Sequence, residues 1–202
     1  MIRLDRDGAL WTVTLDRPDK ANALTKPMLA ELAGIAADAA GQAQALILTG
    51  TGSVFSAGAD LEEARAGLAT DPVWEQLSGA IAALPCLTVA ALNGTLAGGA
   101  FGMALACDLR LSVPSARFFY PVMKLGFLPQ PSDPVRLRAL VGPARARMIL
   151  MAGQKIPADT ALSYGLVDEL VEPDALLPRA HALAADALAA SPEHVAAIKA
   201  MI

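Results

Sequence analysis

The sequence predicts an α/β fold built around a parallel sheet. Apolar runs of strand length alternate with helix-length segments along the 202 residues, a succession typical of strands joined by right-handed helical crossovers. The run at 45–49 is apolar almost throughout, as expected for a strand buried on both faces of a sheet. Another strand-like run leads through Asn93-Gly94 to the pair Gly98-Gly99 and an apolar helix. This arrangement leaves backbone N–H groups free to bind an anion, although a close-packed turn needs the same small residues.

Capping signals divide the chain into elements. Thr25 is predicted to cap the first long helix, and both Asp71-Pro72 and Ser132-Asp133-Pro134 combine a capping residue with a proline for the first turn. Gly165 is predicted to end a helix. In chain order the predicted elements are two strands within 2–16, a helix over 26–40, a strand over 45–49, a loop over 50–58, a short helix from 59, a helix over 73–84, a strand over 86–92, a helix ending near 107, a strand over 109–113, an irregular segment over 115–130, helices over 135–141, 144–151 and 157–164, a strand over 166–171, and helices over 174–190 and 192–202.

Composition and charge restrict the class of function. The formal net charge of −4 argues against a general binder of nucleic acid or of an anionic membrane, and no apolar run is long enough to span a bilayer. Cys86 and Cys107 lie in apolar runs, which favours neither a disulfide framework nor a thiolate metal site. No signal peptide is recognisable, so a cytoplasmic location is expected. We expect one domain over 1–202, with a core over 1–173 and a shortened helical part over 174–202.

Six short motifs occur in one order along nearly the whole chain. They are L-D-R-P-D-K-A-N-A-L at 15–24, L-I-L-T-G-T-G-S-V-F-S-A-G-A-D-L at 46–61, L-N-G-T-L-A-G-G-A-F-G-M-A-L-A-C-D at 92–108, Y-P-V-M-K-L-G-F-L-P at 120–129, L-V-G-P-A-R-A-R at 140–147 and A-L-S-Y-G-L-V-D-E-L-V at 161–171. Together they resemble the crotonase superfamily, the enoyl-CoA hydratase/isomerase family. The resemblance implies a ClpP/crotonase-like fold, in which repeated ββα units are followed by C-terminal helices. It also implies assembly as homotrimers or dimers of trimers.

The same resemblance implies a substrate and a way of stabilising it. The substrate is an acyl-CoA thioester of fatty acid metabolism, with coenzyme A as part of the substrate, no permanently bound cofactor and no metal. In similar proteins two backbone N–H groups form an oxyanion hole, which binds the thioester oxygen and stabilises the enolate. The matching residues are Ala59, after Ser-Ala-Gly, and Gly99, at the start of the helix. One such donor lowers a barrier by about 3 kcal/mol. Taken separately, each of the two residues can instead be explained as part of a tight turn with no role in binding.

Contacts to coenzyme A carry over from the family to two loops. The matching residues are Lys20, Ala21, Ala23, Ala57, Asp60 and Leu61. Backbone groups of these loops resemble those that contact the adenine, and Lys20 is placed to reach a phosphate. Lys20 can equally be a solvated loop charge. Asp60 has an alternative role as the cap of the following helix.

The chain departs from the family at both of its catalytic glutamates. Their positions are occupied by Gly102 and Val122, and Gln130 stands where some relatives place another acid. Hydration of a conjugated double bond requires groups that activate water and protonate carbon, which glycine and valine cannot do. By resemblance, the protein is nominally an enoyl-CoA hydratase/isomerase, that is, a lyase or an isomerase. Without the two glutamates, we expect it to lack classical hydratase activity. The alternative is a non-catalytic acyl-CoA-binding or assembly subunit.

Few other side chains are candidates to replace the two glutamates. Asp133 lies near the site in sequence, but Ser-Asp-Pro favours a helix cap, and Tyr120 beside two phenylalanines favours packing over hydrogen bonding. A glutamate introduced at Gly102 is expected to be tolerated, because glycine disfavours a helix by about 1 kcal/mol relative to alanine. A serine protease of the Clp type is rejected, because no nucleophilic-serine motif is present. Family members usually continue beyond the S-P-E-H motif at 191–194 with further helices, and we therefore expect a shorter C-terminal part.

Overall fold

Two sheets form the centre of the protein in a computed structural model that describes residues 1–202. The strands are β1 Ile2–Asp7, β2 Leu10–Leu15, β3 Ala45–Gly50, β4 Val54–Ser56, β5 Leu87–Leu92, β6 Thr95–Ala97, β7 Leu109–Ser112, β8 Arg117–Phe119, β9 Ile156–Pro157 and β10 Glu169–Leu170. The larger sheet has the order β1-β2-β3-β5-β7-β10, and the smaller sheet has the order β4-β6-β8-β9. All neighbours are parallel except the β1–β2 and β8–β9 pairs.

Nine helices surround the sheets. They are α1 Lys26–Ala39, α2 Leu61–Arg65, α3 Val73–Ala82, α4 Phe101–Ala106, α5 Val122–Leu125, α6 Asp133–Leu150, α7 Ala158–Tyr164, α8 Leu176–Ala189 and α9 Pro192–Ala200. Short 3₁₀ turns occupy Pro18–Lys20, Leu68–Thr70, Gly98–Ala100 and Pro173–Ala175. None of the helices combines the length and the apolar character needed to cross a membrane.

From β3 to β8, consecutive strands alternate between the two sheets. The pairs β3–β4, β5–β6 and β7–β8 each begin in the larger sheet and end in the smaller one, and a helix follows each pair. This repeated ββα succession confirms the predicted α/β class and crotonase-like fold. The strands of the smaller sheet were not predicted: β4 lies in the expected loop over 50–58, β6 in the expected glycine turn and β8 in the expected irregular segment. Each has only three residues, which is too short to show an alternating pattern.

Helices cover both faces of the larger sheet. Leu32 of α1 and Leu77 of α3 face Leu46 of β3 on one side, and α8 packs against β3, β5 and β7 on the other. Burial on both sides explains the apolar β3, whose residues 45–49 are at most 5% exposed. The prediction that the run at 45–49 forms a strand buried on both faces is confirmed.

The capping signals are largely confirmed. The backbone N–H of Met28 donates to Thr25 Oγ1 at 3.4 Å, and Gly165 ends α7 with φ of +77°. The two helices predicted over 135–141 and 144–151 form one element, α6, interrupted at Gly142, where φ is +79°. The strand predicted over 166–171 shortens to β10, because only those two residues pair with β7.

Candidate active site

Two glycine-containing loops meet where β4 and β6 end. The two strands are parallel neighbours, so the loops that follow them lie side by side. A Cβ atom on Gly58 would lie 2.9 Å from the carbonyl oxygen of Ala97 and 3.3 Å from the Cα atom of Gly98. Both glycines also have positive φ, at +92° for Gly58 and +58° for Gly98. Only glycine permits this close backbone approach, which brings the neighbouring residues Ala59 and Gly99 together.

The loops present backbone donors to one cavity. The carbonyl oxygen of Gly58 and the N–H of Asp60 both bond to Leu24 at 2.8 Å, whereas the intervening N–H of Ala59 has no acceptor in the fold. Gly99 lies in the first turn of the helical segment, where an N–H has no preceding carbonyl to bond. Ala59 and Gly99 line the same cavity, which has a volume of about 250 Å³. The arrangement can hold an oxygen atom that develops negative charge.

The cavity is mostly apolar. A Cβ atom on Gly99 would lie 3.2 Å from the ring of Trp74, whose Nε1 atom donates to the carbonyl oxygen of Leu68 at 2.8 Å. Leu61 and Leu128 line the cavity and are 74% and 86% exposed, so they lie at its mouth. These surroundings suit a hydrocarbon chain better than a charged group.

The first predicted coenzyme A loop is held by Asn22. Its Nδ2 atom donates to the carbonyl oxygens of Thr51 at 3.0 Å and Val54 at 2.7 Å, and the side chain is fully buried. Ala21 has φ of +50° and accepts a hydrogen bond at 3.0 Å from the backbone N–H of Ala57 in the second loop. The sequence interpretation did not single out Asn22. The residue type could have indicated this role, because asparagine tolerates a left-handed backbone better than most residues. In the structure the φ of Asn22 is +52°.

Other residues predicted to contact coenzyme A border the same loops. Lys20 is exposed at the end of a 3₁₀ turn, and Ala23 is buried and accepts a hydrogen bond from Arg17 Nη1 at 3.0 Å. Asp60 forms an ion pair with Arg17 at 2.8 Å and accepts from the backbone N–H of Glu62 at 3.1 Å. The hydrogen bond from Arg17 is the main reason that the pKa of Asp60 is lowered. Asp60 therefore caps α2, as its alternative interpretation proposed, and Arg17 was missed.

The two positions predicted to correspond to the family's glutamates differ in their surroundings. Val122 lines the cavity and is 7% exposed. A Cβ atom on Gly102 would lie 2.9 Å from Asp133 Oδ1 and 3.5 Å from Ser78 Cβ. A glutamate at 102 would therefore be tolerated only if the carboxylate of Asp133 moved aside. Helix propensity favours a side chain there, but the carboxylate of Asp133 already occupies the space.

Asp133 does not cap its helix. Ser132 occupies the N-cap position of α6, and Asp133 Oδ2 accepts a hydrogen bond from the hydroxyl of Tyr120 at 2.9 Å. Burial is the main reason that the pKa of Asp133 rises to about 7. The predicted packing of Tyr120 is confirmed, since its ring stacks on Phe101 at a centroid distance of 5.4 Å. Its hydroxyl also donates a hydrogen bond, which was the less favoured alternative for this residue. Gln130 lines the cavity and its amide donates to the carbonyl oxygen of Ala69 at 3.3 Å.

The repeated ββα units and the loops that meet between β4 and β6 define a protein of the crotonase class. The sequence model described as enoyl-CoA hydratase/isomerase matches residues 5–202, and the chain belongs to that family. It is 38% identical over 182 residues to YngF of Bacillus subtilis, a protein named for the same family, covering 86% of this chain and 70% of that protein. It is 34% identical over 193 residues to the short-chain-enoyl-CoA hydratase of Clostridium acetobutylicum, covering 90% of this chain and 72% of that enzyme. The crystal structure of an enoyl-CoA hydratase from Bacillus anthracis is similar with a TM-score of 0.91 at 31% identity, covering 98% of this chain and 80% of that one.

Proposed function

We propose that the protein binds acyl-CoA thioesters and stabilises their enolate form through the backbone N–H groups of Ala59 and Gly99. The observation that carries this proposal is the free N–H of Ala59, which shares an apolar cavity with Gly99. The apolar lining favours an acyl chain. The two donors favour the thioester oxygen, because that oxygen gains negative charge when a proton leaves the adjacent carbon.

The coenzyme A part of the ligand is proposed to lie along the two loops. Ala57 and Leu61 line the cavity, and the bond from Ala57 to Ala21 fixes the first loop beside the second. Lys20 is exposed and forms no ion pair within the chain, so its ammonium group is free to meet a phosphate.

Classical hydration does not form part of the proposal. Neither Gly102 nor Val122 can activate water or protonate carbon, and no carboxyl group lines the cavity. The same observation favours a second candidate function, that of a subunit which binds acyl-CoA without transforming it. The two candidates differ in whether the Cα–H bond of the bound thioester is broken.

Binding is tested by calorimetry with two ligands on the unaltered protein. Butyryl-CoA is compared with its thioether analogue, in which a methylene group replaces the thioester carbonyl. Loss of the hydrogen bonds to that oxygen is expected to weaken binding about tenfold, while the acyl and coenzyme A contacts remain. Crotonyl-CoA is expected to bind without appreciable hydration. Absence of binding, equal affinity for the two ligands, or rapid hydration would each contradict the proposal.

A further inference from the structure

Asp133 carries a buried carboxylate oxygen that has no partner in the fold. The residue is 1% exposed, and Oδ1 accepts no hydrogen bond, whereas Oδ2 is bonded to the hydroxyl of Tyr120. An unpaired buried carboxylate oxygen is costly to a protein and requires an explanation. Packing alone does not provide one, because an apolar side chain of similar size would fill the space without an unpaired oxygen.

Tyr120 connects this carboxylate to the cavity. It lines the cavity together with Ala59 and Gly99, and it is the only ionisable side chain that does so. Its ring is held by stacking on Phe101, with 26° between the ring planes. Tyr120 is therefore the one side chain of the cavity lining that carries an ionisable proton.

The charged groups around Asp133 come from two helices. Glu75 of α3 accepts hydrogen bonds from the backbone N–H and the hydroxyl of Ser132, and Arg136 lies one turn along α6. Burial raises the pKa of Asp133 most, Glu75 raises it further, and the Tyr120 hydroxyl and Arg136 lower it. With a pKa of about 7, the carboxyl group can both accept and return a proton near neutral pH.

Building on the proposed function, we infer that Tyr120 accepts the Cα proton of a bound acyl-CoA thioester and that Asp133 takes up the phenolic proton that Tyr120 releases in the same step. The Cα–H bond breaks, its proton passes to Tyr120 Oη, and its electron pair forms the double bond of the enolate. The thioester oxygen then carries the negative charge and accepts from the N–H groups of Ala59 and Gly99. In the same step the phenolic proton of Tyr120 moves to Asp133 Oδ2, so Tyr120 is neutral before and after. While the enolate is bound, the hydroxyl of Tyr120 exchanges its hydrogen with solvent. The reverse step then restores the thioester with a solvent hydrogen at Cα.

The test measures deuterium incorporation at Cα of butyryl-CoA in D₂O, alongside calorimetric binding of butyryl-CoA. Tyr120→Phe and Asp133→Asn are expected to bind the ligand within about threefold of the wild type but to slow exchange at least about 100-fold. Tyr164→Phe, which alters the only other tyrosine, is the matched control and is expected to exchange at the wild-type rate. Exchange by the wild type is expected to slow as the pH falls below about 7, because protonated Asp133 cannot accept the proton. A group with a purely structural role would not produce this profile.

The outcomes separate this inference from the proposed function. If the wild type does not bind butyryl-CoA, the proposed function fails and the inference fails with it. If it binds butyryl-CoA but shows no exchange, or if either variant exchanges at the wild-type rate, only the proton relay is overturned. If Asp133→Asn does not fold, Tyr120→Phe and the pH profile of the wild type decide the question.

Discussion

Replacing Asp133 by asparagine is expected to stabilise the protein near neutral pH and to have little effect in acid. In the folded state burial favours the neutral acid, which raises the pKa from 3.8 to about 7. The neutral acid therefore contributes fully to the stability of the folded protein below the pKa that Asp133 has in the unfolded chain. This contribution is lost as the pH rises through the pKa that Asp133 has in the folded protein. Asparagine stays neutral at every pH and can still accept the hydrogen bond from Tyr120, so the variant does not suffer this loss.

The size of the effect follows from the pKa. A rise from 3.8 to about 7 corresponds to at most about 4 kcal/mol in favour of the variant once the pH exceeds about 7. Urea unfolding of both proteins between about pH 4 and pH 8 measures the difference in the free energy of unfolding, in which contributions from other carboxylates cancel. Asp38→Asn, on the exposed face of α1, is the matched control and should show no such trend. A difference between wild type and Asp133→Asn that does not change with pH would refute the reasoning.

Two glycine substitutions test the geometry of the site. Gly58→Ala is expected to destabilise the protein by about 1–3 kcal/mol and to weaken binding of butyryl-CoA, because its Cβ atom would lie 2.9 Å from the Ala97 carbonyl oxygen. Gly34→Ala, in an open position of α1, should instead stabilise by up to about 1 kcal/mol. Gly102→Ala is expected to destabilise by about 1–3 kcal/mol, and the loss should largely disappear in an Asp133→Ala background, where the clash is removed. Urea unfolding measures all three, and additive effects of Gly102→Ala and Asp133→Ala would argue against the clash.

Local signals along the chain were sufficient to predict most elements. The cap at Thr25, the stop at Gly165 and the apolar run of β3 each act over a few residues, and each is present as predicted. The motifs around Ala59 and Gly99 likewise predicted two loops that the structure brings to one cavity. Their roles as oxyanion donors remain predictions, for which the calorimetric comparison is the test.

What the sequence alone determined about this protein is its family and its α/β class. That Gly102 and Val122 occupy the positions of both familiar glutamates remains a prediction from the motifs. The role of Asp133 was decided only by the tertiary structure. In sequence, Ser132-Asp133-Pro134 has the composition of a helix cap, and nothing local distinguishes a cap from a buried acid. Packing of α6 against α4 turns the side chain inward, where the missing side chain of Gly102 leaves room and Tyr120 supplies a donor. Contacts between residues on separate elements depend on how those elements pack, so neither motif in the sequence indicates that Asp133 lies beside Gly102 and Tyr120.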